Sequence, residues 1–352
     1  MADMITLEVA AGCAAVGPDW EPLFAAGPDV QSSRAWFETV EQAALPAGAR
    51  AVVLLVRHAG RPWALLPMLQ GPGRQMRSLT SPYTVLFQPL LAADADPAAV
   101  GAAIGRHLRR WPVVRLEALD PAWPGLEPML TGFRAAGLVA SRYDHFGNWH
   151  QDLAGLDWPA YLALRPGALR ETIRRRGRAA AKDPTVRIEV VRGSDRLDAA
   201  LAAYETVYAK SWKEPEPYPR FNDMLLPRLA ELGVMRLCVM WQGDAPLAAQ
   251  YWTVRGGVAT VLKLAHDDAA RALSPGTILT AHMIKTLMEE DGVHALDFGR
   301  GDDPYKQSWT DVRRQRVGVV LINPRRPAGL MELARHGAGL LRRMVRDLRA
   351  KA

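Results

Sequence analysis

The stretch that most restricts the architecture of this chain runs from Val258 to Trp309. It opens with VATVLKLAH, a β-branched apolar segment bounded by Gly256-Gly257 and suited to a buried strand. TILTAHMIKTLMEEDG follows at helical spacing, with Ile278, Leu279, Met283, Leu287 and Met288 on one face. Ser274 stands where a capping hydroxyl is favoured. Pro275 takes the first helical position, where its missing N–H costs nothing, and Gly292 ends the helix. Val293 to Phe298 is a second short strand. Strand, helix and strand make a βαβ unit with a right-handed crossover.

The start of that helix is where a ligand is expected. Gly276 lets a ligand approach the backbone, and the free N–H groups with the helix dipole favour an anion. Arg271, in the preceding loop, would add a bidentate phosphate contact. The competing reading is that Ser-Pro-Gly only caps a helix. The run DFGRGDDPYK comes directly after the second strand, and ligands in open α/β sheets gather at the carboxyl ends of parallel strands.

Ser274-Pro275-Gly276 together with Asp297-Phe298-Gly299, Gly301, Tyr305 and Lys306 resembles the GNAT-superfamily acyltransferases related to CelD and to the Fem peptidoglycan-branching enzymes. Those proteins carry two GNAT-like units in tandem. The resemblance therefore implies an α/β fold of two tandem GNAT-like units with mixed sheets.

The order of elements agrees with that expectation. The first half reads as a strand over 5–10, short helices, a hairpin of Ala51 to Val56 with Trp63 to Leu69, and a third strand from Tyr83 to Leu91. Helix 97–110, strand Val113 to Leu119, helix 125–136 and strand Val139 to His145 follow. The second half repeats this order. Boundaries fall at 1–150 for a first unit, 151–325 for a second and 326–352 for a basic amphipathic C-terminal helix. The loop before the 97–110 helix has no glycine and two carboxylates, so the first unit is expected not to bind a donor.

Charge is uneven between the halves. Residues 1–150 hold 12 Arg, no Lys and 13 acidic residues, whereas the remainder carries a net charge of +8. The second half therefore suits an anionic ligand such as coenzyme A, an acyl carrier protein or tRNA. The helix from Trp158 to Lys182, with a break at Pro166-Gly167, is especially rich in arginine: either a solvated face or a surface for an acidic partner. The C-terminal helix packs on the body or a second subunit, or lies on an anionic membrane surface. No run reaches the ~18 apolar residues of a membrane span, and MADMITLEVAAGCAA lacks the basic residues that open a secretory signal. A cytoplasmic location is the expectation. Two cysteines and scattered histidines give no disulfide framework or metal motif, and no GxSxG elbow is present.

The resemblance implies direct transfer from an acyl-CoA, acetyl-CoA or longer, to an amine, with no covalent enzyme intermediate and no metal. Donor contacts then fall on the backbone of Leu264 and Ala265 and on Arg271, Ser274, Gly276 and Thr277. Asp297 or His266 would accept the amine proton, and Tyr305 would protonate the leaving thiolate. Lys306, Gln250 and Trp252 are the expected substrate contacts. Each has a duller alternative: Asp297 a turn former, His266 a strand-end hydrogen bond, Lys306 a surface lysine, Gln250 and Trp252 core. The acceptor expected is a small molecule or a cell-envelope or polysaccharide precursor. Two rivals are an aminoacyl-tRNA-dependent Fem-type transferase, and a binding protein that keeps the fold without catalysis.

Overall fold

The computed structural model describes residues 5–335. The chain forms two compact units, neither continuous in sequence. The first takes the residues up to Gly27, Val40–His145 and those from Gln315 onward; the second takes Pro28–Thr39 and Phe146–Arg314. Two long strands, β7 (Val139–Asp152) and β13 (Val312–Ile322), contribute one end to each.

In the first unit β1 (Ile5–Ala10), β2 (Arg50–His58), β3 (Arg61–Gly71) and β4 (Gln75–Ser78) pair antiparallel in that order. β4 then pairs parallel with β6 (Val113–Leu119), which pairs antiparallel with the end of β13. The expected third strand at 83–91 is displaced: β4 lies earlier, and only Leu90–Leu91 (β5) is extended and paired with β3. Pro82 and Pro89 remove ladder donors there, and Ser81 turns the chain by bonding Thr84. Between β4 and β6 the chain makes α3 (Pro97–Leu108), preceded by α1 (Glu21–Ala25) and α2 (Arg34–Ala43) and followed by α4 (Leu126–Ala135).

The second unit repeats the scheme. β8 (Val186–Val191), β9 (Met235–Gln242), β10 (Ala245–Arg255) and β11 (Val258–His266) pair antiparallel, and β11 pairs parallel with β12 (Ala295–Arg300). β12 pairs antiparallel with the end of β7. α9 (Pro275–Glu289) is the crossover, as its apolar period predicts. It shares a core with Trp252, Phe298, Leu296 and Tyr161, the last from α5 (Trp158–Ala163). α6 (Gly167–Lys182) lies beside α9, beyond the break expected at Pro166-Gly167. The other sheet face is covered by α7 (Leu197–Ala209), whose Tyr204 meets Tyr251 of β10 edge-on at 5.6 Å. α8 (Phe221–Glu231) is held by residues from early in the chain: Phe221 packs on Trp36, and Arg228 donates to Thr39 Oγ1 at 2.8 Å.

A helix begins at 327 and is described as far as Arg335. Its Glu332 accepts from Arg115 at 2.9 Å. Most of the basic amphipathic stripe expected over 326–352 lies outside the described residues. Among the described residues no helix is long and apolar enough to cross a membrane, and no group of His, Cys, Asp and Glu is set to hold a metal.

Candidate functional site

β11 and β12 stay paired for only three positions, Val258↔Ala295, Ala259↔Leu296 and Thr260↔Asp297. Beyond Thr260 they part. β11 continues to pair with β10 through His266, after a bulge that leaves Leu262 without an opposite residue. β12 pairs instead with β7, with a shift of register between Asp297 and Arg300. The β12 side of residues 261–266 is therefore an unpaired strand edge. In antiparallel pairing successive residues turn their N–H and C=O to opposite sides, so one of Leu264 and Ala265 presents its peptide group to the open edge.

The first turn of α9 opens at the end of this strand. Ser274 is not the hydroxyl cap that its identity suggests. It sits at φ 55°, ψ 45°, and its side chain caps nothing. That left-handed conformation costs a non-glycine residue roughly 1–2 kcal/mol. Ser274 supplies its carbonyl to Ile278 N–H at 3.1 Å, Pro275 has no N–H, and among the described residues no acceptor is set against the amides of Gly276 and Thr277. The corresponding helix of the first unit is closed. Asp96 accepts from Ala98 N–H at 2.9 Å and from Ala99 N–H at 3.3 Å, which places a carboxylate where α9 leaves open amides. Arg271 is exposed in the 3-10 turn Asp268–Leu273.

His266, the last residue of β11, turns its ring over this helix start: a Cβ added to Gly276 would stand 3.0 Å from His266 Cδ2. The bareness of Gly276 is thus used first by His266. On its other side the imidazole meets the exposed Trp212 ring at 4.5 Å between centroids. Its Nδ1 lies a long 3.4 Å from the Asp267 carbonyl, the strand-end contact expected as its duller role.

The DFGRGDDPYK run forms a locked turn. Asp297 is buried, and both its oxygens are engaged. Oδ1 accepts from Asn148 Nδ2 and from Gly299 N–H, each at 2.7 Å, and Oδ2 accepts from Arg314 at 2.7 Å. Arg314 also donates to Asn148 Oδ1 at 2.8 Å, which closes the triangle. Of the two roles open to Asp297, the turn former is the one this geometry displays. Lys306 is buried and donates to the carbonyls of Arg300 at 2.6 Å and Gly301 at 3.3 Å, with Asp303 at 2.9 Å. It clamps the turn from inside and is neither a surface lysine nor open to a substrate. Gly299 and Gly301 have φ of 71° and 97°, values that side-chain-bearing residues adopt at a cost. Tyr305, 39% exposed, stands on the rim of this turn. Burial of its phenol and the neighbouring Asp303 raise its pKa, so it keeps its proton at neutral pH. No described contact joins Tyr305 to His266 or Asp297.

Gln250 and Trp252 belong to the core. Trp252 is fully buried, stacks edge-on with Phe298 and donates to Gln250 Oε1 at 3.0 Å. Gln250 Nε2 is buried and has no hydrogen-bond partner among the described residues; its side chain lies beside Thr280 of α9.

Residues that the sequence reading did not single out line a cavity of about 470 Å³ on the α7 face, among them Tyr204, Glu205, Tyr208, Lys213, Glu216 and Asn222. Asn222 Oδ1 accepts from Tyr251 at 2.7 Å, and Glu216 is ion-paired with Lys263 of β11. Burial pushes the Lys263 ammonium down to about 8, and burial with the nearby Glu216 pushes the Tyr208 phenol up to about 12. Burial also lowers Lys213, while burial and Asp223 raise Glu205. A chain of contacts leads from this cavity to the helix start. Lys213 lies over the Tyr208 and Trp212 rings, Trp212 meets His266, and His266 covers Gly276. The alternation of β11 was the available signal: Lys263 breaks an otherwise apolar strand, which a buried ammonium does only with a partner.

Residues 167–307 match the family described as an acetyltransferase (GNAT) domain. The structure is similar to a crystal structure of FemX, with a TM-score of 0.57 and 12% identity over 86% of this chain and 95% of that one. It is similar as well to a tandem GNAT protein from the clavulanic acid biosynthesis pathway, solved without AcCoA: TM-score 0.51, 15% identity, 89% and 98% covered. L-PGS from Bacillus licheniformis gives a TM-score of 0.51 at 12% identity, with 87% and 95% covered. No curated protein sequence matches the chain. The chain thus has the GNAT fold in its tandem, Fem-like form.

Proposed function

We propose that the second unit is an N-acyltransferase that takes an acyl group from a pantetheine thioester, of coenzyme A or an acyl carrier protein, and delivers it to an amine. The observation that carries this reading is the parting of β11 from β12 beside a helix start whose amides are left open. A strand edge and an uncapped N-terminus together offer a slot for an extended amide-bearing arm and a seat for its phosphate. The cavity lined by Tyr204, Tyr208 and Glu216 receives the acceptor, a small molecule or envelope-glycan precursor, on the other side of the strand end. Its phenols and carboxylates suit an amine better than an acid.

In this reading the amine nitrogen attacks the thioester carbonyl, and the peptide N–H at Leu264 or Ala265 stabilises the oxyanion. His266 takes the proton from nitrogen. Its Nε2 is unengaged among the described residues, whereas Asp297 would have to give up its ion pair with Arg314 to act as a base. Asp297, Asn148, Arg314 and Lys306 are positioning residues that fix the turn. As the C–S bond breaks, the thiolate takes a proton from Tyr305, whose raised pKa keeps it loaded. Gly276, Thr277 and Arg271 hold the donor phosphate, and Ser274 shapes the turn before them.

The test is calorimetry with coenzyme A and acetyl-CoA, followed by free-thiol release with a panel of amines. Donor binding at micromolar affinity with thiol release is the expected result. Absence of binding to any thioester donor would overturn it. The second reading, an aminoacyl-tRNA donor, is favoured by the exposed arginines of α6, and is supported if aminoacyl groups and not acyl groups reach the acceptor.

A further inference from the structure

α6 carries a feature that acyl transfer from free coenzyme A does not use. Arg170, Arg174, Arg175, Arg178 and Lys182 are all exposed, and only Arg174 has an ion-pair partner among the described residues, Glu171 on the same helix. At ~100° per residue the five fall within a single sector of about 140°. Beside that sector Ile173, Gly177 and Ala180 form an apolar strip, with Ala181 at its border with the arginines. Across a groove of about 440 Å³ they face Ile278, Ala281 and Trp158.

Gly177 sits in the middle of this wall. A Cβ there would meet nothing within 4 Å, so close packing does not explain the glycine, although it costs a helix interior roughly 1 kcal/mol relative to alanine. The groove is left wider than the fold needs. It also runs to the working end of the unit, since Ile278 lies two residues past Gly276 and Ala180 and Ala181 belong to the last turn of α6.

We infer that this groove docks an acidic amphipathic helix of a carrier protein that presents the acyl group on a phosphopantetheine arm. The inference rests on the thioester reading above and names the source of the donor. Complementarity decides among occupants. An apolar helix face fills the groove while its acidic flank meets Arg170, Arg174 and Arg178, the basic residues of the sector nearest the groove wall. Nucleic acid would satisfy the arginines but leave the aliphatic groove empty. A flat lipid surface does not enter a concavity between two helices. A second copy of this chain would bring a like charge, since residues 151–352 are net basic.

The experiment uses the full chain with the acidic acyl carrier protein of bacterial fatty-acid synthesis, in apo and holo forms, and with free coenzyme A as the separate arm. Carrier binding should be measurable in both forms and weaken with added salt. Gly177→Leu, which fills the groove and raises helix propensity, and the charge reversal Arg170→Glu with Arg174→Glu should each weaken carrier binding at least ~10-fold. Coenzyme A affinity and melting temperature should hold. The inference is overturned if the carrier fails to bind while coenzyme A binds, or if the variants leave carrier affinity unchanged. Equal loss of binding to a short RNA, with no carrier binding, makes the face a nucleic-acid surface and overturns it too. Failure of both carrier and coenzyme A to bind defeats the thioester reading itself.

Discussion

Replacing Ser274 with Asp tests the donor site at its most exposed assumption, that the amides at the start of α9 are kept open for an anion. Ser274 occupies the left-handed region, which Asp tolerates better than most residues, and its hydroxyl caps nothing in the native chain. The new carboxylate therefore breaks no hydrogen bond. It adds a negative charge at the positive end of the helix dipole, which should stabilise the fold by about 0.3–1 kcal/mol. For the donor the same charge is adverse. One phosphate charge about 5 Å away is repelled by roughly 1–3 kcal/mol across the range between bulk water and a protein surface. That is about 5- to 150-fold in Kd.

The first unit has a carboxylate at the corresponding helix start, where Asp96, in extended backbone, accepts from two first-turn amides of α3. The assay is calorimetry with coenzyme A at low and moderate salt, with phosphate-free pantetheine as the control. Coenzyme A should bind more weakly, less so as salt screens the repulsion, while pantetheine is unaffected and the melting temperature does not fall. Unchanged coenzyme A affinity, or an equal loss for pantetheine, would refute the placement of the phosphate.

Tyr305→Phe removes one hydroxyl and should leave folding and donor binding intact while slowing thiol release ~100-fold. Unchanged turnover makes Tyr305 structural. Lys306→Met leaves the carbonyls of Arg300 and Gly301 without their donor, and urea unfolding should show a loss of about 2–4 kcal/mol. A loss under ~0.5 kcal/mol would mean that the turn does not depend on the clamp. Lys263 gives a pH signature. Its folded pKa of about 8 lies below the unfolded value near ~10.4, so between the two the unfolded chain binds more protons and wild-type stability rises with pH. Relative to Lys263→Met, the wild type should gain stability from about pH 8 to about pH 10.4 and show a constant difference below that window. A flat difference across it would show that Lys263 keeps an ordinary pKa when folded.

Much of the second unit could be read from the sequence, since its signals are local. The β-branched run at 258–266, the helical period of 275–289 and the apolar strand before Gly299 each encode one element through the spacing of its own side chains, and together they dictate a parallel pair at a crossover. Pro275 marked the helix start correctly because a missing N–H acts within one residue. Ser274 misled for the same reason in reverse. Its identity favours a side-chain cap, but φ is set by how the turn from Asp268 to Leu273 must deliver the chain to α9.

Partners far apart in sequence were decided only by the tertiary structure. Asp297 looked like a free carboxylate at a strand end until Arg314 and Asn148, the latter 149 residues away, closed on both its oxygens. Lys306 became a buried clamp because the turn folds over it. The cavity beside Lys263 exists because α7, the loop to α8 and β10 meet around Tyr251, and residues 28–39 join this unit through Trp36 and Thr39. A periodic pattern states which face of an element is buried, and that much is local physics. Which polar group will find its counter-charge depends on which elements become neighbours, and no spacing along the chain records it.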